Sequence, residues 1–371
     1  LTAGSRVHQE RVENLVSLLK ERSIDAAWIT GSENRRYLSG FRAEDSHATE
    51  SSGSLLLGRE MRILITDSRF TLQAREETRA FEIYTAKDGI GPALAELTGS
   101  LGIHLLGFEE EFVSWGLYQK VLKGLPSGVR LEPLGRIVEG LRVVKSKEEI
   151  IMLKASADII SNVLGEVIES LTPGISEKEV AFMVETLARD AGADCLSFPP
   201  IVASGPNSAL PHAIPSERRL SEREPVILDV GVRVNGYCSD ITRTVFLGGP
   251  SPDFALIYKT VLNAQSAGIA AIKAGVKSTY PDGAARDIIT GAGFGDYFGH
   301  ALGHGVGLAA HEDPRLSPRN PVTLLKGMVV TVEPGIYIPG KGGVRLEQMV
   351  TVGDGGCEII TAEPHLYDLS I

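Results

Sequence analysis

The tightest constraint in this chain is a two-residue turn. Residues 225–247 contain two strand-like runs, Pro-Val-Ile-Leu-Asp-Val-Gly-Val-Arg-Val and Tyr-Cys-Ser-Asp-Ile-Thr-Arg-Thr-Val-Phe-Leu, separated by Asn235-Gly236 alone. Asn-Gly between β-rich runs is the strongest short hairpin signal, because both residues tolerate the positive φ of a type I′ turn. With that loop the register is fixed: Asp229 falls opposite Thr242, and Asp240 falls opposite Gly231. The two aspartates then become diagonal neighbours on one face, about 7–8 Å apart at the backbone, close enough for their carboxylates to share a cation. A slip of one residue would send them to opposite faces.

Three further candidate ligands follow: His304, Glu333 and Glu347. Glu333 closes the strand-like Met328–Val332 just before Pro334-Gly335, and Glu347 lies in the run Val344–Val352, where period two places Arg345, Glu347 and Met349 on one face. An inward Glu beside Met calls for a partner. Four carboxylates converging on one site repel one another unless cations hold them, and two divalent ions would balance their charge.

The histidine segment reads Phe-Gly-His300-Ala-Leu-Gly-His304-Gly-Val-Gly-Leu-Ala-Ala-His311-Glu312. Histidines four apart suggest the helical His-Glu-x-x-His zinc motif, but no Glu follows His300, and glycines at 299, 303, 305 and 307 oppose a helix. Three histidines within twelve residues are too many to explain as separate core residues, and the glycines favour close backbone approach to a ligand.

The fold class expected is α/β (α+β). Over the first part of the chain, a helix bearing Val12, Leu15 and Leu19 alternates with strand-like Ala26–Thr30, Ser54–Leu57 and Ile63–Thr66, then with helical Arg69–Glu77, strand Phe81–Tyr84, a helix near Pro92–Leu101 and strand Ile103–Phe108. The pattern changes near Leu141–Lys147, which sets domains at 1–140 and 141–371. A helix from Ser146 to about Leu171 and a second from the capping box Ser176-x-x-Glu179 to Gly192 are followed by another pair, Pro252 to Lys273 and a helix ending at Gly293. Gly174 to Gly192 and Gly275 to Gly293 have equal separations, which predicts an internal duplication with the site between its halves.

At 371 residues the chain has ample length for two cores, and its net charge of −10 without a basic block argues against nucleic acid. No run is apolar and long enough to span a membrane. The N-terminus lacks a secretory pattern and, without an initiator Met, reads as already trimmed. Cys195, Cys238 and Cys357 form neither a disulfide framework nor a Cys-x-x-Cys zinc pattern, so a cytoplasmic setting is expected.

The runs LDVGVRVNGYCSDITRT, GHALGHGVGLAAHE, TVEPGIY and GVRLEQMV together resemble the pita-bread metallopeptidases of the Xaa-Pro aminopeptidase and Xaa-Pro dipeptidase (prolidase) branch, over about residues 147–371. Residues 1–140, with Thr66-Asp67-Ser68-Arg69-Phe70, resemble that family's N-terminal domain. The resemblance implies a creatinase-like α/β domain followed by a pita-bread domain with a pseudo-two-fold duplication. It implies that Asp229 holds one divalent ion and His304 the other, that Asp240 and Glu347 bridge them, and that Glu333 binds the second ion and shuttles protons. By the same resemblance His212 lies near substrate, His300 and His311 support the site or its transition state, Arg345 stands beside the bridging Glu347, and Thr242 supports the ligands.

The reaction implied is hydrolysis of the Xaa-Pro bond at the N-terminus of proline-containing peptides, by a homodimer using manganese, or else cobalt or zinc. Xaa-Pro dipeptidase action is the alternative. A creatinase-type amidinohydrolase or a non-catalytic binding module on this fold is disfavoured by the complete ligand set, and methionine aminopeptidases generally lack the N-terminal domain. Two departures from the family pattern stand out: Gln348, where relatives often carry an acid, and Tyr280-Pro281-Asp282. Gln348 points away from Glu347 in a strand, so little effect on metal is expected. The 280–282 change leaves local specificity open.

Overall fold

The computed structural model describes residues 3–45 and 50–361, so Leu1 and Thr2 of the N-terminal reading lie outside the described residues. The chain divides into two compact units, Leu1–Arg142 and Val143–Ile371.

The first unit is built on a six-stranded sheet. Its strands run in the order Glu82–Thr85, Arg62–Thr66, Ser54–Gly58, Ala26–Ile29, Leu105–Phe108 and Arg130–Pro133, and Ser54–Gly58 is antiparallel to both its neighbours while the other pairings are parallel. Ala26–Ile29 is buried along its whole length, as a central strand covered on both faces must be. Trp28, Leu56, Ile65, Leu94 and Leu106 join the core on one side.

Sequence periodicity found the first helix, Ala3–Glu21, and five of the six strands, but not helices Ser32–Ser39, Trp115–Gly124 and Ile137–Arg142 or the edge strand Arg130–Pro133. Ser32–Ser39 escaped because its buried positions include Asn34 and Arg35, which break the apolar pattern while being satisfied inside the fold. Asn34 donates to Glu109 and Glu139, and Arg35 donates to the Gly53 and Ala43 carbonyls.

In the second unit, Lys147–Ser170 and Glu177–Asp190 form one helix pair, each opened by a full capping box, at Ser146/Glu149 and Ser176/Glu179. Pro252–Ala270 and Thr279–Gly291 form the other. Each pair packs its own core: Ile160, Leu164, Val180 and Val184 with strands 225–230 and 241–246, and Tyr258, Val261, Ala285 and Ile289 with strands 329–332 and 348–352. Gly174, Gly192, Gly275 and Gly293 all take positive φ, so the equal spacing marks chain reversals rather than coincidence of composition.

The helix expected to run to Lys273 ends instead at Ala270. Ala274 N–H donates to Gly353 O and Gly275 N–H to Leu324 O, drawing the chain off the helix and onto the sheet. The last helix also lacks a side-chain cap at Ser278.

Asn235 and Gly236 have φ of 49° and 82°, and the predicted register holds, with Asp229 opposite Thr242 and Arg233 opposite Cys238. The ribbon is not continuous, however. It divides at Gly231 and at Ser239-Asp240 into Pro225–Val230 with Ile241–Phe246, and Val232–Val234 with Tyr237–Cys238. A Cβ on Gly231 would overlap the Ser239 carbonyl, so the two arms cross more closely there than side chains permit.

The run Val344–Val352 is likewise two strands. Gly342–Arg345 pairs with Gly335–Ile338, whereas Gln348–Val352 pairs with Val329–Val332. Between them Glu347 N–H donates to Thr242 O (3.0 Å), and Glu347 O accepts from Arg243 Nη1 (2.6 Å), which commits this backbone to the aspartate hairpin.

Candidate metal centre

The break at Leu346-Glu347 puts Glu347 over the hairpin. Its Oε2 accepts from Thr242 Oγ1 at 2.8 Å, the residue directly opposite Asp229. Strand Gly303–Gly305 brings in His304, pairing with strand Val329–Val332 through Gly305 and Val330. Here too the approach is close, since a Cβ on Gly303 would overlap the Thr331 carbonyl. Glu333 follows that strand directly, its N–H bound to Leu302 O.

These elements converge. Asp229, Asp240 and Glu347 bring carboxylate oxygens within 4.8 Å of one another; His304, Glu333 and Glu347 form a second such group, and Asp240, His304 and His311 a third. His304 Nε2 lies 3.3 Å from Glu333 Oε1 and 3.6 Å from Asp240 Oδ2. Thr331 Oγ1 accepts the His304 N–H and donates to Glu333 Oε1, joining the two at their base.

Burial sets the electrostatics. Desolvation, then repulsion from Glu347 and Asp229, pushes Asp240 well above the usual carboxylate range. Glu347 is pushed up to about 8 by burial and by Glu333 and Asp229. Burial also raises Asp229, partly offset by Arg345, whose Nη2 lies 2.5 Å from Asp229 Oδ2. For Glu333 burial works upward, but the hydrogen bond and charge of His304 overcome it and bring it down to about 2. Burial and the neighbouring His304 lower His311 to about 4, the two rings meeting edge-on with centroids 4.2 Å apart.

A divalent cation fits this donor set. Asp229 Oδ1 is buried with no hydrogen-bond partner among the described residues, an acceptor whose desolvation nothing here repays. Four carboxylates crowded beside the imidazoles of His304 and His311 are an oxygen-rich ligation that suits divalent cations.

The remaining residues singled out in the sequence occupy different places. Arg345 is buried against Asp229, and its Nη1 also donates to Tyr337 Oη (2.8 Å) and Pro211 O (3.2 Å). His300 stands outside the carboxylate groups and is connected to them through Tyr337, whose Oη lies 3.0 Å from His300 Nε2. His212 is exposed and belongs to none of the groups, though its charge contributes to the lowering of His311. Gln348 faces away, accepting from Thr361 Oγ1.

Sequence reasoning gave no role to Tyr337, although it lay in the quoted Thr-Val-Glu-Pro-Gly-Ile-Tyr turn. The available signal was period two: Tyr337 pairs with Gly343, whose missing side chain leaves room for the Tyr337 ring. Met349 was placed on the Glu347 face, and its Sδ accepts the Asp240 N–H at 3.2 Å.

Comparison with known proteins agrees with this architecture. Residues 152–354 match the model of metallopeptidase family M24, and residues 11–144 match the creatinase/prolidase N-terminal domain. The chain is 41% identical over 354 residues to an uncharacterized peptidase of Bacillus subtilis, covering 95% of this chain and 98% of that one. Among solved structures, an Xaa-Pro dipeptidase from Bacillus anthracis superimposes with a TM-score of 0.91 at 40% identity, covering 97% of this chain and 99% of that one. An X-Pro aminopeptidase from Thermotoga maritima does so with a TM-score of 0.86 at 36% identity, covering 96% and 99%. A creatinase-type N-terminal domain followed by a pita-bread domain with these converging acids identifies the chain as a member of metallopeptidase family M24.

Proposed function

We propose that this protein hydrolyses the Xaa-Pro bond at the N-terminus of peptides, with residues 1–140 as its N-terminal domain and 141–371 as its catalytic domain. The observation that carries the reading is the convergence of Asp229, Asp240, His304, Glu333 and Glu347 around a buried, unpartnered Asp229 oxygen. In this reading Asp229 with Asp240 and Glu347 would hold one divalent ion, and His304 and Glu333 with Asp240 and Glu347 the other. When bound, such a pair of ions supplies Lewis-acid polarisation of the scissile carbonyl and an acidified water.

The chain's own residues supply the rest. Glu333, ionised at neutral pH, takes the proton of the attacking water and returns it to the leaving nitrogen as the C–N bond breaks. That delivery matters for proline, whose amide nitrogen carries no hydrogen of its own. His311, neutral at pH 7, or His212 would stabilise the developing oxyanion, while Arg345 offsets part of the burial that raises Asp229 and His300 steadies Tyr337 against Arg345.

Aminopeptidase action is the leading reading. Dipeptidase action is the alternative, supported by the solved Xaa-Pro dipeptidase at 40% identity. Manganese as the metal, a homodimer, and a reducing cytoplasmic setting consistent with the few and scattered cysteines complete the proposal. Cleavage of Xaa-Pro and Xaa-Pro-Yaa peptides with added Mn²⁺ tests it. Turnover of the longer peptides supports an aminopeptidase, and turnover of the dipeptides alone a dipeptidase. Full metal-dependent activity in Glu333→Ala or Asp240→Ala would overturn both.

A further inference from the structure

The segment Phe298–Leu302, which carries His300 and leads directly into His304, has little ladder of its own. Its polar backbone groups are instead met by one ion pair on the helix Thr279–Gly291, its acid buried and its arginine partly exposed. Asp282, 1% exposed, takes a bidentate bond from Arg286, with Nε and Nη2 each at 2.8 Å from a carboxylate oxygen. Asp282 Oδ1 also accepts the Leu302 N–H at 3.0 Å. Arg286 spends its remaining donors on the same segment: Nη1 donates to Phe298 O and Nη2 to His300 O, both at 2.9 Å, and its guanidinium lies 4.2 Å from the centre of the Phe298 ring.

Three backbone groups in five residues are therefore fixed by two side chains one helical turn apart. The Leu302 carbonyl extends the chain of contacts by accepting the Glu333 N–H. An i,i+4 ion pair with one partner partly exposed contributes little net stability, so stability alone does not account for it. What it supplies is an orientation: a planar fork set on a rigid helix fits two carbonyls and a carboxylate in one arrangement.

We propose that Asp282 and Arg286 are positioning residues for the imidazole end of the metal centre, setting the backbone from which His304 reaches Glu333 and Asp240 and His300 reaches Tyr337. The Tyr280-Pro281-Asp282 departure then bears on metal geometry. This rests on the reading of His304 and Glu333 as ligands.

The test uses the full chain with Asp282→Asn, which keeps an oxygen for Leu302 but loses the charge opposite Arg286, and Arg286→Lys, which keeps the charge but loses the fork. Mn²⁺ titration of the metal-free proteins is the first readout, and kcat and KM on an Xaa-Pro peptide the second. Both variants should bind Mn²⁺ about 10- to 100-fold more weakly and lose a similar factor in kcat, with KM changed less. A pair that only holds the fold together would lower Tm and leave the dissociation constants and kcat of the folded protein as in the wild type; that result overturns the proposal. If Asp282→Asn does not fold, Arg286→Lys, whose side chain is 26% exposed, gives the same two readouts. Wild-type protein that binds Mn²⁺ but cleaves no Xaa-Pro peptide would refute the proposed function, and the titration would still decide this inference.

Discussion

At one end of the centre Asp229, Asp240 and Glu347 crowd together, with burial and repulsion from neighbouring acids raising all three, while at the other the less buried Glu333 is brought down to about 2 by His304. The difference lies in what stands beside each carboxylate. Asp240 and Glu347 face mainly other acids, whereas Glu333 faces an imidazole 3.3 Å away. The acid cluster is therefore built for cations it must receive, and the imidazole end holds a base that stays ionised.

The largest effect that would sharpen this contrast is expected from Glu333→Gln. It removes the proton carrier, and kcat on an Xaa-Pro peptide should fall about 10²- to 10⁴-fold, measured at saturating Mn²⁺. A fall no greater than that of an acid-cluster support such as Thr242→Val would break the distinction. Thr242→Val removes the hydroxyl bound to Glu347 and should weaken Mn²⁺ binding about 10- to 100-fold by titration.

The metal-free protein should show the same contrast in its pH dependence. Glu347 holds its proton up to about 8 in the fold but only to the ordinary carboxylate range when unfolded, so the folded state binds more protons between those values. Stability is thus fully present below the unfolded pKa and falls as pH rises through about 8; Asp240 acts in the same sense. Glu333 has the opposite sign, losing its contribution only as pH falls from the ordinary carboxylate range toward about 2. Thermal melts from pH 5 to 8 should accordingly show a falling Tm without metal. Mn²⁺ fixed at one hundred times its dissociation constant at pH 8 should add about 2.7 kcal/mol per site there, and the same concentration should give a smaller Tm gain at pH 5, where protons compete for the acids. A gain independent of pH would mean that the acids are not crowded in solution. The smallest effect is expected from Gln348→Glu, which should leave the Mn²⁺ dissociation constants unchanged, because Gln348 faces Thr361.

How far the sequence could be read depended on whether neighbours in space were neighbours in register. Asn235-Gly236 fixed the Asp229 to Thr242 pairing from local chemistry alone, and the capping boxes at Ser146 and Ser176 located two helices. Period two found the common face of Arg345, Glu347 and Met349, but not the break between the two strands that carry them. That break is imposed by Thr242 and Arg243, a hundred residues away. Asp282 stood out only within the segment Tyr280-Pro281-Asp282 and Arg286 not at all, since nothing local says that an acid on one helix will bind the backbone of a later loop. Helix Ser32–Ser39 was lost for a similar reason: its buried Asn34 and Arg35 are satisfied by distant partners.

The crossings at Gly231 and Gly303, where any side chain would overlap a facing carbonyl, have a consequence for how this protein would respond to random change. In a saturation screen scored by activity, both positions should reject even alanine and rank with the ligands, although neither offers an atom to metal or substrate. A map of intolerance would then outline the backbone crossings beneath the centre as sharply as the centre itself, and an engineer seeking to alter specificity should leave these two glycines alone.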